Sequence, residues 1–247
     1  MNTFLATLVF LAGLSTSVED SVAILYVQDE SGGMGMRCTA TAFDDQASKD
    51  AKKTVYLTAS HCVTQEDKAN PGKLKVTDQP LFLSTDKLDK KDYVRAHLVT
   101  VGRAEKGYDF AVLIADLRTP TIPLGDERQE GAHVQFVNIA APLGIGKATF
   151  YGRVALKFID RPLYDEDQDI NWAGAMLVDV ASEGGSSGSA AVSLDTGKII
   201  GIIVGHYKSL KIAVPVSRIV NPPKDAILYP VASLVAIANA SGSPAAK

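Results

Sequence analysis

The chain has 247 residues, 46% hydrophobic and 21% charged, enough to bury a substantial core and too apolar for a disordered tail. Its 25 basic and 28 acidic residues leave a formal charge of -3 with no Lys/Arg block, which excludes nucleic acid or another polyanion as the main partner. One large domain or two smaller halves fit this length.

Residues 1–17, MNTFLATLVFLAGLSTS, carry an apolar run from Phe4 to Leu14. It is too short for a helix to span a bilayer of about 30 Å, so no stable membrane span is expected, and it matches the hydrophobic stretch of a secretory signal peptide. No Lys or Arg precedes the run, and an ordinary first strand or helix is the competing reading. Ser15-x-Ser17 offers a small-residue cleavage site, which would start the mature chain near Val18 in a secreted or periplasmic protein.

Short runs rich in Val, Ile, Leu, Tyr and Phe follow: VAILYV (22–27), MRCTATAF (36–43), TVYLTA (54–59), YVRAHLVTV (93–101) and FAVLIA (110–115). After a long stretch from Pro120 to Pro142 that suits a connection between halves, they resume with HVQFVNI (133–139), ATFYGRVALKFI (148–159) and GAMLVDV (174–180). SAAVSL (189–194), IIGIIVG (199–205) and KIAVPV (211–216) complete the series. The spacing is that of an all-β chain, with turn residues such as DTGK (195–198) between runs and no amphipathic helices that would give a βαβ rhythm. About 11 to 13 strands would fill two small barrels, an N-terminal half over 18–125 and a C-terminal half over 126–240. LYPVASLVAIANA (228–240) has Val231, Leu234, Val235 and Ala238 at helical spacing and predicts one C-terminal helix, with 241–247 frayed beyond it.

Cys38 and Cys62 are the only cysteines. Without a CxxC partner or an HExxH segment they support no metal site, and no cofactor is expected. In an exported chain the pair reads as one disulfide; a reducing compartment would leave two buried thiols.

Three stretches carry chemistry. His61 in LTASHCV (57–63) follows a strand, where a short turn would hold its imidazole at a cleft, although His97, His133 and His206 show that a histidine alone decides nothing. Asp109 in GYDFAVLIA (107–115) stands before a continuous apolar strand, a costly place for a carboxylate unless it finds donors such as a histidine Nδ1–H. In EGGSSGSAAV (183–192), Gly184, Gly185 and Gly188 allow a tight turn around Ser187, whose amide and that of Gly185 would converge on a developing oxyanion. A loose linker would not run straight into an apolar strand. Ser186 also satisfies G-x-S-x-G, but that elbow needs an Asp and then a His downstream, and only His206 follows.

His61 in TASHC, Asp109 in DFAVL and Ser187 in GSSGSA, in that order, resemble the chymotrypsin-like (trypsin-like) serine peptidases, and the disulfide-poor bacterial and viral members more than the animal digestive enzymes. The resemblance implies an all-β double six-stranded antiparallel β-barrel with a closing C-terminal helix and a cleft between barrels. It implies a Cys38–Cys62 disulfide and a serine endopeptidase acting on protein or peptide substrates through His61, Asp109 and Ser187. The substrate pocket would be lined by Ala181 and Ser182 on one side and by Val204, Gly205 and His206 on the other. Ala181 stands where trypsin-like members carry aspartate, so a Lys/Arg preference is not expected. A small or apolar preference is the default, with Ser182 and His206 binding an acidic side chain as the alternative, although glutamate-specific relatives carry their histidine at the place matching Ile203. Ser186, in the position of an acidic residue in the animal enzymes, cannot accept an N-terminal ion pair, so activation by that route is not expected. The rival reading is a peptidase fold that binds without cleaving; oligomeric state is not legible.

Overall fold

The computed structural model describes residues 17–44, 53–85, 93–131, 133–144, 146–160, 164–165 and 168–229. The signal-like run and the 241–247 tail lie outside the described residues.

The N-terminal half contributes β1 (Val22–Gln28), β2 (Met34–Phe43), β3 (Thr54–Thr58), β4 (Thr64–Glu66), β5 (Leu74–Val76), β6 (Leu81–Ser84), β7 (Val94–Gly102) and β8 (Ala111–Ala115). Six of these pair in the order β7-β6-β1-β2-β3-β8, and β7 also pairs with β8, closing a barrel of antiparallel strands. β4 and β5 form a separate hairpin. The strands form where the sequence alternates or is continuously apolar. In β1 the side chains of Ala23, Leu25 and Val27 enter the main core while Ile24 and Tyr26 pack on the other face against Ala141 of the C-terminal half. That two-sided burial is why β1 reads as an unbroken apolar run.

The C-terminal half adds β9 (Gln135–Ala140), β10 (Ala148–Leu156), a small hairpin of β11 (Tyr164–Asp165) and β12 (Gln168–Asn171), then β13 (Met176–Asp179), β14 (Ala190–Ser193), β15 (Ile199–Tyr207) and β16 (Leu210–Pro215). The second closed barrel runs β10-β13-β16-β15-β14-β9, with every adjacent pair antiparallel. The connection after β8 is stitched to both halves, Ile122 bridging to Phe43 and Leu124 to Ile199. One apolar cluster runs through both barrels, linking Leu25, Leu57 and Leu113 to Val137, Ile202 and Val214.

A short helix α1 (Val216–Val220) follows β16, and the chain then returns to the first barrel as β17 (Ile227–Tyr229), which pairs with β7. The helix predicted from 228 is therefore displaced at its start. Leu228 and Tyr229 extend the edge of the first barrel, where β7 offers open backbone groups, and such pairing outweighs a helical pattern of side chains. The rest of that predicted helix lies outside the described residues.

Candidate active site

β3 ends at Thr58 and the backbone turns through one 3-10 turn, Ser60–Cys62, which carries His61. Cys62 is bonded to Cys38 in β2, with 6.1 Å between the Cα atoms, so the turn is tied to the neighbouring strand. Opposite it, Asp109 lies just before β8, which pairs with β3 along its whole length. Pairing Thr58 with Ala111 thus brings two segments nearly 50 residues apart into contact.

Asp109 is buried and fully engaged. Its Oδ2 accepts a bond from His61 Nδ1–H at 2.7 Å, and its Oδ1 accepts from the His61 backbone N–H at 3.0 Å and from Ser60 Oγ–H at 2.8 Å. Burial alone would push this carboxyl up, but the charge of His61 and these three donors outweigh it and hold the carboxyl below the usual range. Ionised, it can only accept, which puts the imidazole proton on Nδ1 and leaves the Nε2 lone pair free. On His61 itself burial acts downward, yet the Asp109 charge and hydrogen bond prevail, so its pKa lies above the ordinary value. The His61 side chain keeps 41% of its surface exposed, against 4% for Asp109, so the pair presents its basic face to solvent.

The Gly184–Gly188 turn faces this pair from the second barrel. Gly185 and Gly188 have φ of 92° and 84°, a region that side chains other than glycine rarely enter. At Gly188 a Cβ would meet Thr39 O and Thr58 Oγ1 at 2.4 Å, so the turn is pressed directly onto the first barrel. Ser186 is buried and its Oγ accepts the Glu183 N–H at 3.2 Å, whereas Ser187 is half-buried and lines a cavity together with His61.

Carbonyl contacts aim the turn's amides. Gly184 C=O accepts from Leu143 N–H at 2.6 Å, and Ser186 C=O accepts from Ser189 N–H at 3.1 Å and Ser189 Oγ–H at 2.7 Å. In a trans peptide the N–H points opposite to the C=O, so the Gly185 and Ser187 N–H groups are directed away from those anchors. Among the described residues neither amide has a partner. Thr39 in β2 fixes the other carbonyls: its Oγ1 donates to Gly185 O at 2.8 Å and accepts from Ala141 N–H at 3.0 Å, while its own N–H donates to Ser187 O at 3.0 Å.

The cavity holding His61 and Ser187 has a volume of about 660 Å³. Of the expected pocket residues, Ser182, Val204, Gly205 and His206 line it, joined by Trp172, Ile203 and Lys211. Ala181 instead lines a separate cavity of about 550 Å³ with Tyr151, Arg153 and Asp179. As β13 ends, Asp179 and Ala181 are exposed on one side while Val180 between them is buried, so Ala181 shares the Asp179 side rather than the cleft. Sequence reasoning does not single out Ser60, Thr39, Trp172 or Lys211; of these only Ser60, a hydroxyl beside His61, had a local signal. Ligand atoms of Cys38, Cys62 and His61 lie within 4.8 Å of one another, but the sulfurs are joined and offer no thiolate to a metal.

Residues 38–202 match the trypsin-like peptidase domain, well over half of the chain. The chain belongs to that family. Solved structures of similar fold include an HtrA-type protease, AlgW, in a serine-to-alanine form with a tripeptide, at 19% identity and a TM-score of 0.58 over 85% of this chain and 60% of that one. The M. tuberculosis protein Rv3671c, in the inactive form of a serine-to-alanine mutant, gives 14% identity and a TM-score of 0.58 over 84% of this chain and 87% of that one. This trypsin-like peptidase domain thus spans only 60% of AlgW's length. No curated protein matches the chain. Its two six-stranded barrels are the chymotrypsin-like fold.

Proposed function

We propose that the chain is a serine endopeptidase that hydrolyses protein or peptide substrates through Ser187, His61 and Asp109. The observation that carries this reading is the His61–Asp109 pair, 2.7 Å apart, opening on the same cavity as Ser187. Ser187 Oγ attacks the substrate carbonyl carbon and its proton passes to His61 Nε2. The carbonyl oxygen becomes an oxyanion facing the Gly185 and Ser187 N–H groups, each such donor contributing about 3 to 4 kcal/mol when well aligned. As the C–N bond breaks, Nε2 returns the proton to the leaving amine. Water then attacks the acyl-enzyme, gives a proton to Nε2, and releases the acid as Ser187 regains its hydrogen. Asp109 stays ionised throughout, holding the tautomer and stabilising the imidazolium.

The Cys38–Cys62 bond supports residence in an oxidising compartment, in keeping with a secreted or periplasmic protein. The reading is tested by labelling with a serine-directed fluorophosphonate and mapping the adduct. A single adduct on Ser187, retained in Ser186→Ala and lost in His61→Ala, is the expected result, and Ser187→Ala should lower turnover roughly a millionfold. An adduct on Ser186, or none on folded protein, would refute the assignment.

A further inference from the structure

Lys211 stands in β16 directly across from His206 in β15. Residues directly opposite in an antiparallel pair project from the same face with Cβ atoms about 5 Å apart, and both side chains line the cavity that holds Ser187. Among the described residues the Lys211 ammonium has neither an ion pair nor a hydrogen bond, although it is half-buried. Of the other charged groups around the cavity, Asp109 is saturated by His61 and Ser60, and Glu183 is exposed and makes no ion pair with Lys211. The cavity therefore carries a cation to which no described residue supplies a counter-charge.

Trp172 is 3% exposed and contributes its ring to the same wall, while its Nε1–H is sealed from solvent. The indole lies at this cavity: its Cζ2 would stand 3.9 Å from a Cβ at Gly205, which also lines it. Lys211, His206 and Ser182 thus offer donors, while Trp172, Ile203 and Val204 give an apolar wall for methylenes.

The geometry points to a pocket selective for an acidic side chain, glutamate or aspartate, at the residue before the scissile bond, with Lys211 as its charge partner and His206 as an additional donor. This inference rests on reading the cavity as a peptidase cleft. It resolves the choice between apolar and acidic substrates in favour of the acidic ones, because a small apolar side chain would seal the Lys211 ammonium without a partner.

The test is a set of fluorogenic peptides differing only in that residue, Glu, Asp, Gln, Leu or Lys, with kcat/KM measured for the wild type, Lys211→Gln, Lys211→Glu and the control Lys208→Gln. The control removes an equal charge from the same hairpin, at an exposed lysine lying over Tyr207. The wild type should favour Glu over Gln by about 10- to 100-fold, the range expected when one hydrogen-bonded charge partner is gained. That ratio should collapse towards unity in Lys211→Gln, persist in Lys208→Gln, and turn in favour of Lys in Lys211→Glu. Equal cleavage of Glu and Gln by protein that takes the fluorophosphonate on Ser187, or an unchanged ratio in Lys211→Gln, overturns the inference while leaving the peptidase reading standing. Absence of both labelling and cleavage across the whole set overturns the two together.

Discussion

Replacing Thr39 by valine isolates the bond network that holds the Gly184–Gly188 turn to the first barrel. The two side chains have nearly the same size and branching, so no cavity forms, and only the hydroxyl is lost. Thr39 is wholly buried, and its Oγ1 makes two bonds, to Gly185 O at 2.8 Å and from Ala141 N–H at 3.0 Å. Ala141 is equally buried, so its N–H would be left without a partner at a cost of about 1 to 3 kcal/mol. Gly185 is half-buried and its carbonyl can turn to water, which adds about 1 kcal/mol or less. The sum is about 1 to 4 kcal/mol of lost stability. Since Gly185 also supplies one of the two proposed oxyanion amides, kcat should fall roughly tenfold, less than the hundredfold or more seen when such a donor is deleted outright. Thr39→Ser keeps the hydroxyl and should retain most of kcat, costing about 1 kcal/mol for the missing methyl. Denaturant unfolding measures the stability and steady-state kinetics on a small peptide separates kcat from KM. The reasoning fails if Thr39→Val unfolds within about 0.5 kcal/mol of the wild type, or if the serine variant loses as much kcat as the valine one.

The raised His61 and lowered Asp109 pKa values make opposite demands on pH. The proposed mechanism requires neutral His61, so kcat/KM should rise with pH through a midpoint above the ordinary imidazole value of about 6.5, and a flat profile from about pH 5 to 8 would exclude His61 as base. Stability runs differently: the Asp109 contribution is present above about 3.9 and lost as pH falls through its lower folded value, while the His61 contribution is present below about 6.5 and lost as pH rises through its higher folded value. The pair should therefore stabilise the fold most between about pH 4 and 6.5, so the Tm difference between wild type and Asp109→Asn should peak there; a difference independent of pH would contradict this. Reducing the Cys38–Cys62 bond, which closes a loop with a sequence separation of 24, should cost about 3.5 kcal/mol on the chain-entropy relation. Calorimetry with and without reductant checks it, and an unchanged Tm in protein verified as reduced would count against the estimate.

What the sequence made legible was local. Apolar runs announced the strands, and Asp109 was conspicuous because a carboxylate before FAVLIA needs donors. The glycines at 185 and 188 were legible as a turn, and their positive φ angles are what such a turn requires. The strand at Ile227–Tyr229 was not, because its pairing with β7 depends on an open edge contributed more than 120 residues earlier. Nor was the departure of Ala181 from the main cavity, which follows from which way one side chain faces as β13 ends.

The least legible part is also the most consequential for chemistry. The amides proposed to face an oxyanion are aimed by whatever holds the carbonyls of the preceding peptides, and here the holders are Leu143 and Ser189, with Thr39 fixing the carbonyls between and after them. Thr39 and Gly185 are 146 residues apart and lie in different barrels. A threonine in a strand signals only half-burial and β-branching, and nothing in its neighbours tells that its hydroxyl will accept from Ala141 and donate to Gly185. The His61–Asp109 pair belongs to the first barrel and Ser187 to the second, so their alignment depends on the contact between barrels, where the Thr39 bonds act directly on the Gly184–Gly188 turn. Loss of the Thr39 hydroxyl should thus impair catalysis before it unfolds either barrel, whereas core truncation at Leu57 or Leu113 should unfold the protein and abolish activity in step.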